Sequence, residues 1–284
     1  MMRFPKPALM ALALANLGLP ALAESQERLI ALGGSVTEIV VLLGEEGRLV
    51  ARDSTSTYPP SVEALPDVGY IRALSPENVL ALNPALIIAD GDAGPPAAVE
   101  VLQSAGIPFA VMPVTHDADG IPAKITAVGQ ALGKPEEGAT LAASVSAGLE
   151  AAKIRAAAVP VKKKVLFLLS MNGGKLMAGG EGSSAEGIIE LAGGENAAVG
   201  FQGYKPITDE AIIAAAPDVI LMMDREGDLA AADAEVVAHP ALGETPAGKT
   251  GAIIRMDGLL LLGFGPRTPE AAEQLYQALY GVKG

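Results

Sequence analysis

The stretch of this chain best equipped for chemistry runs Val68-Gly69-Tyr70-Ile71-Arg72-Ala73-Leu74-Ser75-Pro76-Glu77, which sets a phenol two residues from a guanidinium. A phenolate is a hard anionic ligand suited to ferric iron, and tyrosine is one of the axial ligands of haem. A neighbouring cation favours ionisation of a group that otherwise titrates near ~10. If residues 70 and 71 lie extended, Tyr70 and Arg72 share one face and can meet one bound molecule. Taken alone, a Tyr and an Arg separated by one residue read as ordinary loop surface; the surrounding chain shifts that balance.

Other chemistry is thin. Gly33-Gly34-Ser35-Val36-Thr37-Glu38 follows a strand pattern and opens a helix, but it lacks the G-x-G-x-x-G spacing and a Walker lysine. Ser35 and Glu38 are expected to form a capping box there. His116 and His239 are the two histidines, with no regular carboxylate spacing for zinc; His116 follows a strand and is assigned to solvated loop, at most rimming a cleft. Gly182-Ser183-Ser184-Ala185 does not supply a G-x-S-x-G nucleophile elbow. With no cysteine there is no thiolate site, no thiol nucleophile and no disulfide.

The chain opens with Arg3 and Lys6, an apolar run from Ala8 to Leu19, and Ala21-Leu22-Ala23. This predicts a secretory signal peptide over residues 1–23 cleaved after Ala23, and a mature chain with no integral membrane segment. Its removal takes away two basic residues and no acidic one, moving the net charge from −13 to −15. Nucleic acid is therefore excluded as an expected partner. Half the residues are apolar, enough for a packed core of one large domain or two ordinary ones.

Two segments resemble each other, residues 78–90 and 211–224: each reads as a short helical pattern, a proline and a continuous apolar run, as a buried parallel strand requires. Further strands are expected at Arg28–Leu32, Arg48–Ala51, Phe109–Met112, Lys164–Leu169 and Ala252–Arg255. The expected fold is α/β: two Rossmann-like lobes with mainly parallel sheets, 24–119 and 160–284. A long helix over 120–159, broken near Pro135, connects them, and a ligand cleft lies between. Gly179 to Ser184 reads as a turn.

Several motifs together carry a resemblance: Ile30-Ala-Leu-Gly33-Gly34-Ser35-Val-Thr-Glu38-Ile39, Tyr58-Pro59-Pro60, Leu65 through Arg72, Asn83-Pro84, Leu191-Ala-Gly-Gly-Glu-Asn196, and Gly263-Phe-Gly-Pro-Arg267-Thr-Pro269. Over nearly all of its mature length the chain resembles the periplasmic haem-binding proteins of ABC-type haem importers. These sit within the helical-backbone substrate-binding proteins that also include cobalamin and ferric-siderophore binders. The resemblance implies a non-enzymatic, monomeric periplasmic protein that binds haem and hands it to an inner-membrane ABC permease. It implies Tyr70 as iron ligand and Arg72 as its hydrogen-bonding or propionate-pairing neighbour, with Arg225 reaching the haem from the second lobe. Glu77 and Glu190 would dock on the permease, one per lobe, where each otherwise reads as a solvated helix acid. Some members supply a distal His after the first strand of the second lobe; here Met171 stands nearest, which implies five-coordinate ferric iron with Met171 packed near the distal face. Release would follow from displacement of the lobes. The rival cargoes are cobalamin and a ferric siderophore, and the rival class is a periplasmic α/β enzyme.

Overall fold

The computed structural model describes residues 28–114, 116–172, 175–224 and 231–281; the expected leader lies outside them. The first lobe is built in order from β1 (Leu29–Leu32), α1 (Gly34–Leu42), β2 (Leu49–Arg52), α2 (Pro76–Leu80), β3 (Leu86–Asp90), α3 (Pro96–Ser104) and β4 (Phe109–Met112). Its four strands run parallel in the order β2-β1-β3-β4. Leu29–Leu32 and Ile87–Ala89 are wholly buried. Covered on both faces, such strands need continuous apolar runs rather than alternation, which is the pattern the sequence displays.

The connector is a pair of helices, α4 (Ile121–Ala131) and α5 (Pro135–Ala157), where the sequence suggested one long helix interrupted near Pro135. The chain turns at Gly133, whose φ is 74°, and Pro135 opens the second helix, where its missing N–H is harmless. The two helices pack so closely that a Cβ on Gly129 would lie 2.9 Å from the Gly138 Cα.

The second lobe follows as β5 (Lys164–Asn172), β6 (Lys175–Gly179), α6 (Ser184–Leu191), β7 (Glu195–Asn196), β8 (Tyr204–Ile207), α7 (Asp209–Ala215) and β9 (Val219–Asp224). It ends with α8 (Asp233–Ala238), α9 (Pro240–Glu244), α10 (Pro246–Thr250), β10 (Ile253–Asp257), α11 (Gly258–Leu262) and α12 (Thr268–Tyr280). The sheet order is β10-β9-β5-β6-β8, with β7 beside the start of β5. β10, β9, β5 and β7 are parallel, whereas β6 and β8 add an antiparallel flank. The twin helix-to-strand units expected from the sequence are α2 into β3 and α7 into β9.

One hydrophobic cluster runs through both lobes. Val36, Ile39 and Val40 of α1 join Ile121, Ile125 and Val128 of α4, Leu149 of α5, Phe167 of β5, Ile188 of α6 and Leu275 of α12 in a single buried network. Among the described residues no helix is long and apolar enough to cross a membrane.

Candidate functional site

A cleft of ≈ 640 Å³ opens between the lobes, lined from one side by residues 33–35, 55, 57, 70–72, 90, 92, 114, 116 and 124 and from the other by residues 169, 184, 204, 223, 224, 257–259, 262 and 263. This is the size range of small-molecule sites. Its floor is the turn from β1 into α1. Gly33 takes φ 110° there, and a Cβ would fall 2.9 Å from the Asp90 Cβ, so neither conformation nor space admits a side chain.

The Gly33 amide donates to Asp53 Oδ1 at 2.8 Å and the Gly34 amide to Thr55 Oγ1 at 3.2 Å. The capping box expected of Ser35 and Glu38 is not formed, because α1 starts at Gly34 and places both residues inside the helix, facing other partners. Ser35 Oγ donates to Asp90 Oδ2 at 3.1 Å, and Lys124 Nζ donates to the same oxygen at 2.8 Å. Glu38 instead binds Arg267 of the second lobe. Burial raises the Glu38 pKa, and the hydrogen bond and charge of Arg267 oppose it. Lys124, 2% exposed, cancels the Asp90 charge where an unpaired carboxylate would be costly.

The loop after β2 carries the phenol. Val68 donates its amide to Arg52 O at 2.9 Å and Ser54 to Gly69 O at 3.0 Å, which lays residues 66–69 alongside the end of β2. Val68, Ile71 and Leu74 are buried and pin the segment, while Tyr70 remains 45% exposed. Residue 70 is extended, but Ile71–Ala73 form a 3₁₀ turn rather than the extended strand supposed from the sequence. The turn still joins the pair: Arg72 Nη1 donates to the Tyr70 hydroxyl oxygen at 2.8 Å. The other terminal nitrogen of Arg72 is paired with Asp92, which the Asp90–Gly94 loop delivers through hydrogen bonds from Gly94 N to Ile71 O and from Leu74 N to Gly94 O.

Across the cleft stands Tyr204, on β8, with its ring edge-on to Phe167 at 6.2 Å. Burial raises its pKa above 10.0, opposed by hydrogen bonds with Ser184 and the Ala185 backbone and by the charge of Arg72. His116 reaches over from the first lobe and sets Nδ1 3.1 Å from Ser184 Oγ. Ile71, Val114, Leu169, Met223, Leu259 and Leu262 provide apolar walls.

Of the residues singled out from the sequence, Tyr70 and Arg72 meet in the cleft. Met171 does not line it. Between β5 and β6 the register slips, Leu168 facing Ala178 and Ser170 facing Met177; this one-residue bulge reverses the alternation. Leu169 keeps the face of Val165 and Phe167 and lines the cleft, whereas Met171, beyond the bulge, packs behind the sheet with the cluster of Leu166, Leu168 and Met222. Arg225 lies outside the described residues. Glu77 is exposed at the start of α2, where the Ser75 hydroxyl donates to its carboxylate at 2.8 Å and, with its own backbone amide, lowers its pKa. Glu190 is exposed near the end of α6, its pKa raised by burial and then by Glu186, with Lys162 opposing. His116, assigned from the sequence to loop surface, lines the cleft. Tyr204 and Asp92 were not legible: one sits on a four-residue strand containing Pro206, the other in a turn 20 positions from its partner.

A family model described as periplasmic binding protein matches residues 29–259. The structure is similar to that of the periplasmic haem-binding protein BhuT, solved with two haems, with a TM-score of 0.83 and 40% identity over 89% of this chain and 97% of that one. It is also similar to the periplasmic haem-binding protein RhuT from Roseiflexus sp. RS-1, solved in apo form, with a TM-score of 0.84 and 38% identity over 89% and 99% of the two chains. The vitamin B12-binding protein of Vibrio campbellii is 28% identical over 195 residues, 68% of this chain and 70% of that protein.

Proposed function

The chain belongs to the periplasmic binding protein family, and we propose that it captures ferric haem in the periplasm and delivers it, as a monomer and without chemistry on the cargo, to an inner-membrane ABC permease. The observation that carries this reading is the exposed Tyr70 phenol in the cleft, held by a guanidinium at 2.8 Å. That hydrogen bond fixes the phenol oxygen in the cleft, and tyrosine oxygen is an axial ligand of haem iron. The apolar walls suit a macrocycle. Tyr70 would ligate the iron from the first lobe, with no protein ligand from Met171, and Arg225 would approach from the second lobe. Glu77 and Glu190 would each engage the permease through charge.

The experiment is a titration of haemin into the purified protein and its Tyr70→Ala variant. The expected result is a Soret band and a phenolate-to-iron charge-transfer band in the wild type, both lost or displaced in the variant. An identical spectrum and affinity in the variant removes Tyr70 from the site. The similarity to a vitamin B12-binding protein supports cobalamin as a second reading; cyanocobalamin that displaces haemin at comparable concentration would favour it.

A further inference from the structure

We infer that Asp92 is a positioning residue that commits Arg72 to the iron ligand Tyr70 and away from the carboxylates of the cargo, an inference that rests on the haem reading above. Arginine ordinarily grips a carboxylate with two parallel N–H donors. Here that fork is divided: Nη1 serves the Tyr70 oxygen at 2.8 Å, and Nη2 is paired with Asp92. A cargo carboxylate that reached for the two terminal nitrogens together would compete with both partners. Asp92 is itself held in place by the backbone exchange between residues 71–74 and 94, and its side chain is the less exposed of the two, 27% against 52%.

The pairing has a second effect. Asp92 offsets the guanidinium charge, so the Tyr70 oxygen receives a hydrogen bond without the full field of an unpaired cation. The phenolate stays a stronger donor to ferric iron than it would beside a lone arginine. Removing the Asp92 charge should draw density from the phenolate, weaken its donation and favour ferrous iron.

The test compares haemin with haemin dimethyl ester, in which both propionates are masked, on the full-length mature protein. Arg72→Ala is expected to weaken both by the same factor, about tenfold, as for one charge-assisted hydrogen bond. Asp92→Asn is expected to move the phenolate-to-iron charge-transfer band to shorter wavelength and raise the midpoint potential, with Asp92→Glu restoring both. In an Arg72→Gln background, Asp92→Asn should leave the band in place. A loss on Arg72→Ala confined to the free acid, or a band unmoved by Asp92→Asn, overturns the inference while leaving haem binding intact. Failure of the wild type to bind either porphyrin overturns the functional reading as well. Circular dichroism of each variant separates a folding defect from these outcomes, and the conservative Asp92→Glu keeps the comparison valid if Asp92→Asn unfolds.

Discussion

Arg267 of the second lobe holds Glu38 of the first at two points, Nε at 3.1 Å from Oε2 and Nη2 at 2.5 Å from Oε1, across 229 positions of sequence. The Tyr58 ring lies against the guanidinium, 3.6 Å from its centre. Glu38 is nearly buried, so the pair fastens the lobes where solvent does little to screen it.

Arg267→Ala leaves that carboxylate without its cation in an apolar setting. The expected loss is about 3 kcal/mol or more of unfolding free energy, the lower range for breaking a buried pair from one side, read by urea denaturation. A loss below about 1 kcal/mol would place the pair with ordinary surface ion pairs.

Because burial holds the Glu38 carboxyl above the ordinary glutamate range despite Arg267, its pH dependence runs opposite to that of most carboxylates. Its contribution is fully present below the unfolded value and is lost as pH rises through the raised folded value, since the folded state binds the proton more tightly. The difference in unfolding free energy between wild type and Glu38→Gln should therefore shrink from pH ~4 towards neutrality. A difference that grows over that range would reverse the assignment.

Gly34→Ala would place a Cβ 2.4 Å from Leu259 Cδ1 and 2.6 Å from the Thr55 carbonyl. Overpacking of this kind costs about 1–3 kcal/mol. Pairing it with Leu259→Ala should recover only part of the loss in melting temperature, since the clash with the Thr55 backbone persists.

Lys124→Met strips the buried Asp90 carboxylate of its counter-charge and should cost about 3–5 kcal/mol. The double variant Lys124→Met with Asp90→Asn should be more stable than Lys124→Met alone, because no uncompensated charge remains. Chemical denaturation of the three proteins checks the order.

Charge reversal at Glu77 and Glu190 together should abolish haem-dependent growth carried by this protein while leaving the haemin titration unchanged. Unimpaired uptake would detach both residues from permease docking.

The buried parallel strands were the most legible part of the fold. Leu29–Leu32 starts one residue inside its expected limits, and Leu86–Asp90 fills the apolar run after Pro84, because a strand covered on both faces leaves an uninterrupted apolar run. The antiparallel flank left no such trace: Lys175–Gly179 and Tyr204–Ile207 are short, and glycine or proline interrupts their patterns. Tyr70 and Arg72 were legible as a pair, but the spacing could not distinguish an extended segment from the 3₁₀ turn that joins them. Ser35 and Glu38 fit a capping motif, yet tertiary partners in Asp90 and Arg267 take both side chains. Met171 was misplaced because alternation along β5 gives no warning of the bulge that reverses it.

The buried network threading α1, α4, α5 and α12 ties the two halves into one body, so prising them apart would expose oily interior at every step. If cargo leaves by displacement of the lobes, as the haem reading expects, the cost of wetting that interior favours a small displacement over a wide one.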